Sequence, residues 1–346
     1  MNRGTSLVKR TRERLAAAAR TGVVAVAVTA LLTAAEGCAA PAPRPSPGAV
    51  RTIDRAAAAN HVAGRVAVGR AAVAPVAAAA SCDPEAASLA PAGPPSVTSG
   101  SFMAKIRARG YLIAGVDQST YHFGFLNPLD GHIEGFDIDM IRAVADAIFG
   151  NPNKVEYKAI SDAERIPDLG NGSVDIVAHT MTITCARLKQ VDFSSVYFEA
   201  HQRILVPDNS TVASVADLSG EKVCVTKGSD SGGTLSLPSG KTQPIVVSVP
   251  YWTDCLVMLQ QGQVAAISTD DSILAGLEAQ DPFTKIVGPE LTDEPYGLAI
   301  SNQHPDFVRF VNAVLAQERA DGAWAASYAR WVGTPVPHPP TARYAS

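Results

Sequence analysis

From Tyr111 to Val332, short apolar runs alternate with stretches of helical spacing, and this alternation leaves few architectures open. The runs at 111–116, 155–159 and 174–178 are too short for buried helices and read as strands. Helical patterns at 137–149 and 164–170 separate them, with Asp137 as candidate N-cap of the first. Ordered structure is expected to begin near Ser101, with a helix from Phe102 that Gly110 ends. The series then repeats. Strands at 203–206, 222–225, 245–249 and 265–268 interleave with helices at 212–218, 253–261 and 271–279. A strand near 296–301 and two helices, 305–321 and 322–332, complete the pattern. Such alternation builds α/β units with mostly parallel sheets. Two serial units and a C-terminal return predict two lobes joined by two hinge crossings, near 200–206 and 289–295, with a ligand cleft between them.

The first hundred residues follow other rules. Arg3, Lys9, Arg10, Arg12, Arg14 and Arg20 precede an apolar run at 22–35. That run is short for a bilayer span and ends in small residues, which is the anatomy of an export signal. Gly37-Cys38 stands where a lipoprotein signal carries its acylated cysteine, although Ala35 and Glu36 replace the Leu and small residue usual there. The expectation is a signal over 1–38 with lipidation at Cys38; ordinary cleavage nearby is the alternative. Residues 39–99, rich in Ala and Pro and poor in large apolar side chains, read as a tether. Within it, 55–80 could be helical, but Arg65 and Arg70 rule out a membrane span. Lobe one is expected over 100–202 and 294–334, lobe two over 203–293, and a tail over 335–346.

Charge and cysteine content narrow the function. With 29 Lys and Arg against 33 Asp and Glu, the net charge is −4, and the basic stretch is confined to the first twenty residues. No basic face is left for nucleic acid. Setting Cys38 aside, the five cysteines leave Cys82, Cys185, Cys224 and Cys255, an even set suited to two disulfides outside the cytosol. Three pairings are possible, and the residues alone choose none. There is no Cys-x-x-Cys pair and the seven His are scattered, so neither a metal nor any other cofactor is expected.

One stretch could carry recognition. Residues 180–187 (TMTITCAR) follow the apolar strand at 174–178, the end at which open α/β sheets present ligand sites. Thr180 and Thr182 offer hydroxyls, and the planar fork of Arg187 matches a carboxylate in two parallel hydrogen bonds. A loop arginine is by default a solvated residue, so this stretch alone only suggests a site.

Four stretches taken together resemble family 3 of the bacterial extracellular solute-binding proteins, the amino-acid receptors of ABC transporters. They are GYLIAGVD (110–117), EGFDID (134–139), 175–187, and VDFS (191–194) with Tyr197. The likeness spans 101–333. It implies the type II two-lobed periplasmic-binding-protein fold, with no catalysis, and a receptor that closes on an amino acid and delivers it to a membrane permease. In that likeness Arg187 clamps the ligand α-carboxylate, helped by Thr180 and Thr182. Thr226 and Ser229, on the loop of Gly228, reach the same group from lobe two. Asp270 receives the α-ammonium, one of Asp270 and Asp271 being left to cap the next helix. Tyr121 or Phe123 supplies a ring over the ligand, packing beneath their loop being the other reading. Phe136 reads as core and Trp252 as a packed residue near the rim. The likeness also implies the pairs Cys224–Cys255 and Cys82–Cys185.

At the side-chain end two residues pull in different directions. Arg165 resembles the arginine that acidic-amino-acid binders place on a second carboxylate; Asp117 resembles the acid that takes a glutamine amide. An Asp facing a second carboxylate repels it unless Arg165 or Lys227 compensates. Glutamate or aspartate is therefore expected first, with glutamine or asparagine next. Three rivals stand beside this reading: a sensor lipoprotein signalling to a membrane partner, an enzyme using Asp117 and Glu164, and a purely structural lipoprotein.

Overall fold

The computed structural model describes residues 82–345. The export signal, Cys38 and residues 39–81 of the tether lie outside the described residues. Lobe one opens with α1 (Phe102–Arg109), which ends at Gly110 in the left-handed conformation, φ 97°. Then come β1 (Leu112–Val116), β2 (Ser119–Thr120), β3 (Gly124–Leu126), β4 (Ile133–Glu134) and α2 (Phe136–Phe149). The first pass through the lobe ends with β5 (Val155–Ala159), α3 (Arg165–Gly170), β6 (Ile176–Ala178) and β7 (Asp192–Phe193). A long strand, β8 (Phe198–Pro207), crosses to lobe two. There the chain forms β9 (Lys222–Thr226), β10 (Ile245–Val249), α4 (Trp252–Gln260), β11 (Ala266–Asp270), α5 (Asp271–Gln280) and β12 (Thr284–Val287). It returns along β13 (Asp293–Tyr296) to β14 (Ala299–Ile300), α6 (Pro305–Asp321) and α7 (Ala323–Trp331).

Both sheets are mixed. In lobe one the order is β5-β1-β6-β14-β7, parallel over the first three strands and antiparallel beyond. Lobe two repeats the plan as β10-β9-β11-β8-β12. The central parallel strands are the most buried, as expected where both faces are covered, whereas the parallel edge strands β5 and β10 are partly exposed. β1, for instance, buries Leu112, Ala114 and Val116 completely.

The two crossings form one antiparallel ribbon. The first residues of β8 pair with β13, from Phe198 opposite Tyr296 to His201 opposite Asp293. The later residues of β8 join the sheet of lobe two through β11 and β12. The strand expected at 203–206 is thus only the second half of β8. The strand expected at 296–301 is interrupted at Gly297, where the chain leaves the ribbon and its N–H bonds to Met181 O. The helix expected at 212–218 shrinks to a 3-10 turn, Val215–Leu218, because Asp217 accepts from Ser214 Oγ and the Ala213 N–H and closes a local loop.

An aromatic cluster lies under the ribbon. The Phe123 ring meets Phe136, Phe198 and Tyr296 edge-on, and Trp324 donates its indole N–H to Tyr197 O at 2.8 Å. Each such ring buries enough apolar surface to stabilise the fold by roughly 1.5–3 kcal/mol.

Residues 82–99, expected within the tether, belong to lobe one. Ser88 Oγ donates to Phe193 O at 2.7 Å, and Asn312 Nδ2 donates to Ser88 Oγ and to Leu89 O, both at 2.7 Å. The tail lies on the same segment: the Ala345 N–H bonds to Ser88 O, and Arg343 pairs with Asp83 and Glu85. Backbone and polar partners, with Leu89 and Val97 packed on the core, hold this strap in place, which explains why its apolar-poor composition gave no sign of order. A disulfide, Cys82–Cys185, fastens the strap to lobe one, and Cys224–Cys255 links β9 to α4 in lobe two.

Candidate functional site

β6 ends at Ala178 and the chain turns sharply. Thr180 sits at φ 42°, a conformation unfavourable for a side chain with a branched Cβ. Its N–H donates to Asp137 Oδ2 at 2.7 Å, and the other oxygen of Asp137 accepts from Tyr197 Oη at 2.6 Å. Asp137 is therefore not the helix cap expected. α2 begins at Phe136 behind Gly135, and Asp137, its second residue, uses its carboxylate to hold the turn at Thr180. Burial pushes that carboxyl up, while the two hydrogen bonds pull the other way.

Beyond Thr180 the chain presents Thr182 and Arg187. Thr184 Oγ1 accepts the Arg187 N–H at 3.2 Å and closes the turn, while Cys185 is anchored to the strap. The Arg187 guanidinium is buried. It donates to Thr182 O at 2.7 Å and Gly228 O at 3.4 Å, and faces the Asp230 carboxylate of lobe two at 3.2 and 3.5 Å. Burial and then the charge of Arg165 lower its pKa from the ordinary arginine value, opposed by Asp230.

Arg165, at the start of α3, is equally buried. It pairs with Asp162 at 2.9 Å and donates to Asp162 O, His179 O and, across the lobes, Gly228 O. Burial alone would raise the carboxyl of Asp162; Arg165, then His179 and the Thr226 hydroxyl, outweigh it and hold the group below its usual value.

Lobe two contributes the loop after β9. Thr226 Oγ1 donates to Asp162, and Ser229 Oγ donates to Thr226 O at 2.9 Å. Gly228, at φ 97°, lies so close to lobe one that a Cβ would come within 2.7 Å of the Ala163 backbone. At the end of β11, Asp270 is buried and accepts from Tyr296 Oη at 2.5 Å, and Tyr296 Oη also meets Ser272 Oγ at 2.8 Å. Burial, then the charge of Glu294, push the carboxyl of Asp270 well above its ordinary value. Glu294, on β13, is raised by burial and then by Asp230.

Thr180, Thr182, Arg165, Arg187, Ser229 and Asp270 line one interlobe cavity, together with Asp162, Asp230, Ser231, Thr269, Ile273 and Trp252. Its volume is about 10 Å³, so the lobes must part before anything of amino-acid size can enter. A wider opening of about 570 Å³ adjoins it across Asp162, Arg165, Arg187 and Gly228, walled by Ile166, Pro167, Met181 and Gln190. Trp252 is both packed in the lobe-two core and part of the inner lining. The inner cavity thus joins guanidinium groups from lobe one to carboxyl groups from lobe two, a pairing suited to a zwitterion.

Four expected residues, Asp117, Phe123, Tyr121 and Thr226, are not brought to it. Asp117 spends its carboxylate on its own loop, accepting from the N–H groups of Gln118 and Ser119 and the hydroxyls of Ser119 and Thr120. Phe123 is 1% exposed and packs in the aromatic cluster. Tyr121 is exposed at the lobe junction, its ring against His122 and Phe125 and its carbonyl beside Gly276 of α5. Thr226 lies one step back, acting through Asp162. Asp271 accepts from the His201 and Ser272 N–H groups, and Asp270 makes no capping bond to α5. The carboxylates considered for acid–base work do not meet: Glu164 is exposed and accepts from Ser161 N and Oγ, both at 2.8 Å.

Asp162, Asp230 and Glu294 were missed by sequence reasoning. Asp162 stands three residues before Arg165, a spacing that pairs charges on one helical turn, and Asp230 directly follows Ser229. Glu294 carries no local signal.

The model of the bacterial extracellular solute-binding proteins, family 3, matches residues 112–334. The ABC transporter glutamine-binding protein GlnH of Bacillus subtilis is 36% identical over 231 residues, covering 66% of this chain and 84% of its own length. A glutamine-binding protein of Geobacillus stearothermophilus is 38% identical over 206 residues, 59% of this chain and 78% of that one. Among solved structures, an ancestral arginine-binding protein bound to glutamine superposes with a TM-score of 0.60 at 35% identity, covering 65% of this chain and 99% of that one.

Proposed function

The chain belongs to family 3 of the bacterial extracellular solute-binding proteins, and we propose that it captures a polar α-amino acid by lobe closure, without chemistry, for delivery to an ABC transporter permease. The observation that carries this reading is the placement of Arg187 and Asp270 on opposite lobes of a single cavity. A ligand α-carboxylate meets the guanidinium fork, its α-ammonium meets the buried Asp270 carboxyl, and the ion pair formed there replaces hydration lost on closure. Thr180, Thr182 and Ser229 supply the hydroxyls around it.

An amide side chain, glutamine or asparagine, heads our ligand ranking. The expectation of glutamate or aspartate rests on the likeness of Arg165 to the arginine of acidic-amino-acid binders, and that guanidinium is committed to Asp162. Asp230 and Glu294 add negative charge nearby, and the relatives described above carry glutamine in their names. The acidic ligands form the second reading, since Arg165 does line the cavity. Export and acylation at Cys38 complete the proposal, holding the receptor at the outer face of the membrane, where a permease rather than a sensor receives the ligand.

A thermal-shift screen of the twenty amino acids tests it. Glutamine should raise the melting temperature in proportion to RT ln(1 + [L]/Kd). A chain indifferent to all twenty contradicts the reading.

A further inference from the structure

We propose that Asp230 is an intramolecular competitor for the carboxylate clamp, holding the two lobes together through Arg187 until a ligand carboxylate displaces it. This rests on the reading of the cleft as an amino-acid site and adds a specificity-determining residue to it.

The geometry is that of a ligand carboxylate. Asp230 Oδ2 lies 3.2 Å from Arg187 Nη1 and Oδ1 lies 3.5 Å from Nη2, one oxygen to each arm of the fork. The other groups that Arg187 contacts, Thr182 O and Gly228 O, are neutral. A guanidinium as buried as this one is destabilising without an anion beside it. Asp162 and Asp270 also act on this charge from nearby, but Asp230 is the carboxylate that hydrogen-bonds the fork, so in this closed form lobe two presents its own.

The two partners differ in freedom. The Arg187 side chain is 9% exposed and the Asp230 side chain 37%. Asp230 can turn out to water at little cost while Arg187 cannot, so an incoming carboxylate exchanges with Asp230 and leaves the arginine in place. The displaced charge stays near Asp270 and Glu294, both of which feel it. A second negative charge on the ligand then meets repulsion that a neutral amide does not, so Asp230 favours glutamine over glutamate.

Spin labels at Leu129 of lobe one and Phe283 of lobe two, 93% and 77% exposed, report lobe separation by pulsed dipolar spectroscopy. Without ligand, Asp230→Asn in the full chain should show a longer and broader distance distribution than the wild type. Asp230→Thr, which removes the carboxylate differently, should do the same. By calorimetry Asp230→Asn should bind glutamine about tenfold more tightly, with a larger gain for glutamate. Unchanged distances in both variants, or weaker glutamine binding by Asp230→Asn, overturn the proposal. If neither protein binds any amino acid, the proposed function falls, and the distance comparison alone decides the latch.

Discussion

The backbone N–H of Thr180 donates to the buried carboxylate of Asp137 at 2.7 Å, tying the strained turn at the head of the binding loop to the first turn of α2. Asp137→Ala would leave that N–H and the Tyr197 hydroxyl without a partner, at a cost of about 2–4 kcal/mol. Asp137→Asn, which keeps an acceptor oxygen, should lose less. Denaturant unfolding of the pair checks the order, and glutamine affinity should fall in parallel as the turn relaxes.

Gly228 is a point of close approach between the lobes. Gly228→Ala adds a Cβ that would lie 2.7 Å from the Ala163 backbone, at a φ that already costs an L-residue about 1–2 kcal/mol. The lobes should no longer close fully. Calorimetry is expected to show glutamine affinity reduced about tenfold or more, and spin-label distances should lengthen.

The Cys82–Cys185 bridge closes a loop with a sequence separation of 103 residues and anchors the Arg187 turn to the strap. Its removal by Cys82→Ser and Cys185→Ser together should lower stability by about 2–5 kcal/mol, as expected for a long loop. The melting temperature of the double variant measures this.

Glu318, on α6, has its carboxyl raised from 4.5 to about 7 by burial and then by Asp321, Asp139 and Asp146. Between pH 4.5 and 7 the folded protein binds more protons at this site than the unfolded chain, so stability falls as pH rises through that window. Glu318→Gln should match the wild type at pH 4.5 and melt higher than it at pH 8. Thermal unfolding at the two pH values checks the sign.

The two-lobed plan was legible because its central parallel strands, β1, β6, β9 and β11, are short and largely buried and alternate with helical spacing; β10 and α6 fall where the pattern puts them. Arg187 and Asp270 were named through the family resemblance, the strand end before Arg187 being only suggestive by itself, and both line the inner cavity. Other features depend on partners far away in the chain. Tyr121 and Phe123 share one aromatic loop, and only contact with Phe198 and Tyr296 decides which is buried. Asp117 is different, for the Gln-Ser-Thr that follows it is a local signal of a carboxylate bonding its own loop. The strap at 82–99 is held by distant hydrogen bonds, ion pairs and one disulfide, with only Leu89 and Val97 packed on the core, too few apolar residues for composition to record. Asp230 sits in a loop, where charge has no periodicity, and its meaning comes from a guanidinium on the other lobe.

Calorimetric titration of glutamine into the wild type, Arg187→Ala and Asp270→Asn addresses the clamp most directly. The account predicts saturable one-to-one binding by the wild type and a loss of about a hundredfold or more in each variant, since each removes one partner of a buried charge pair. Wild-type affinity in Arg187→Ala would contradict it.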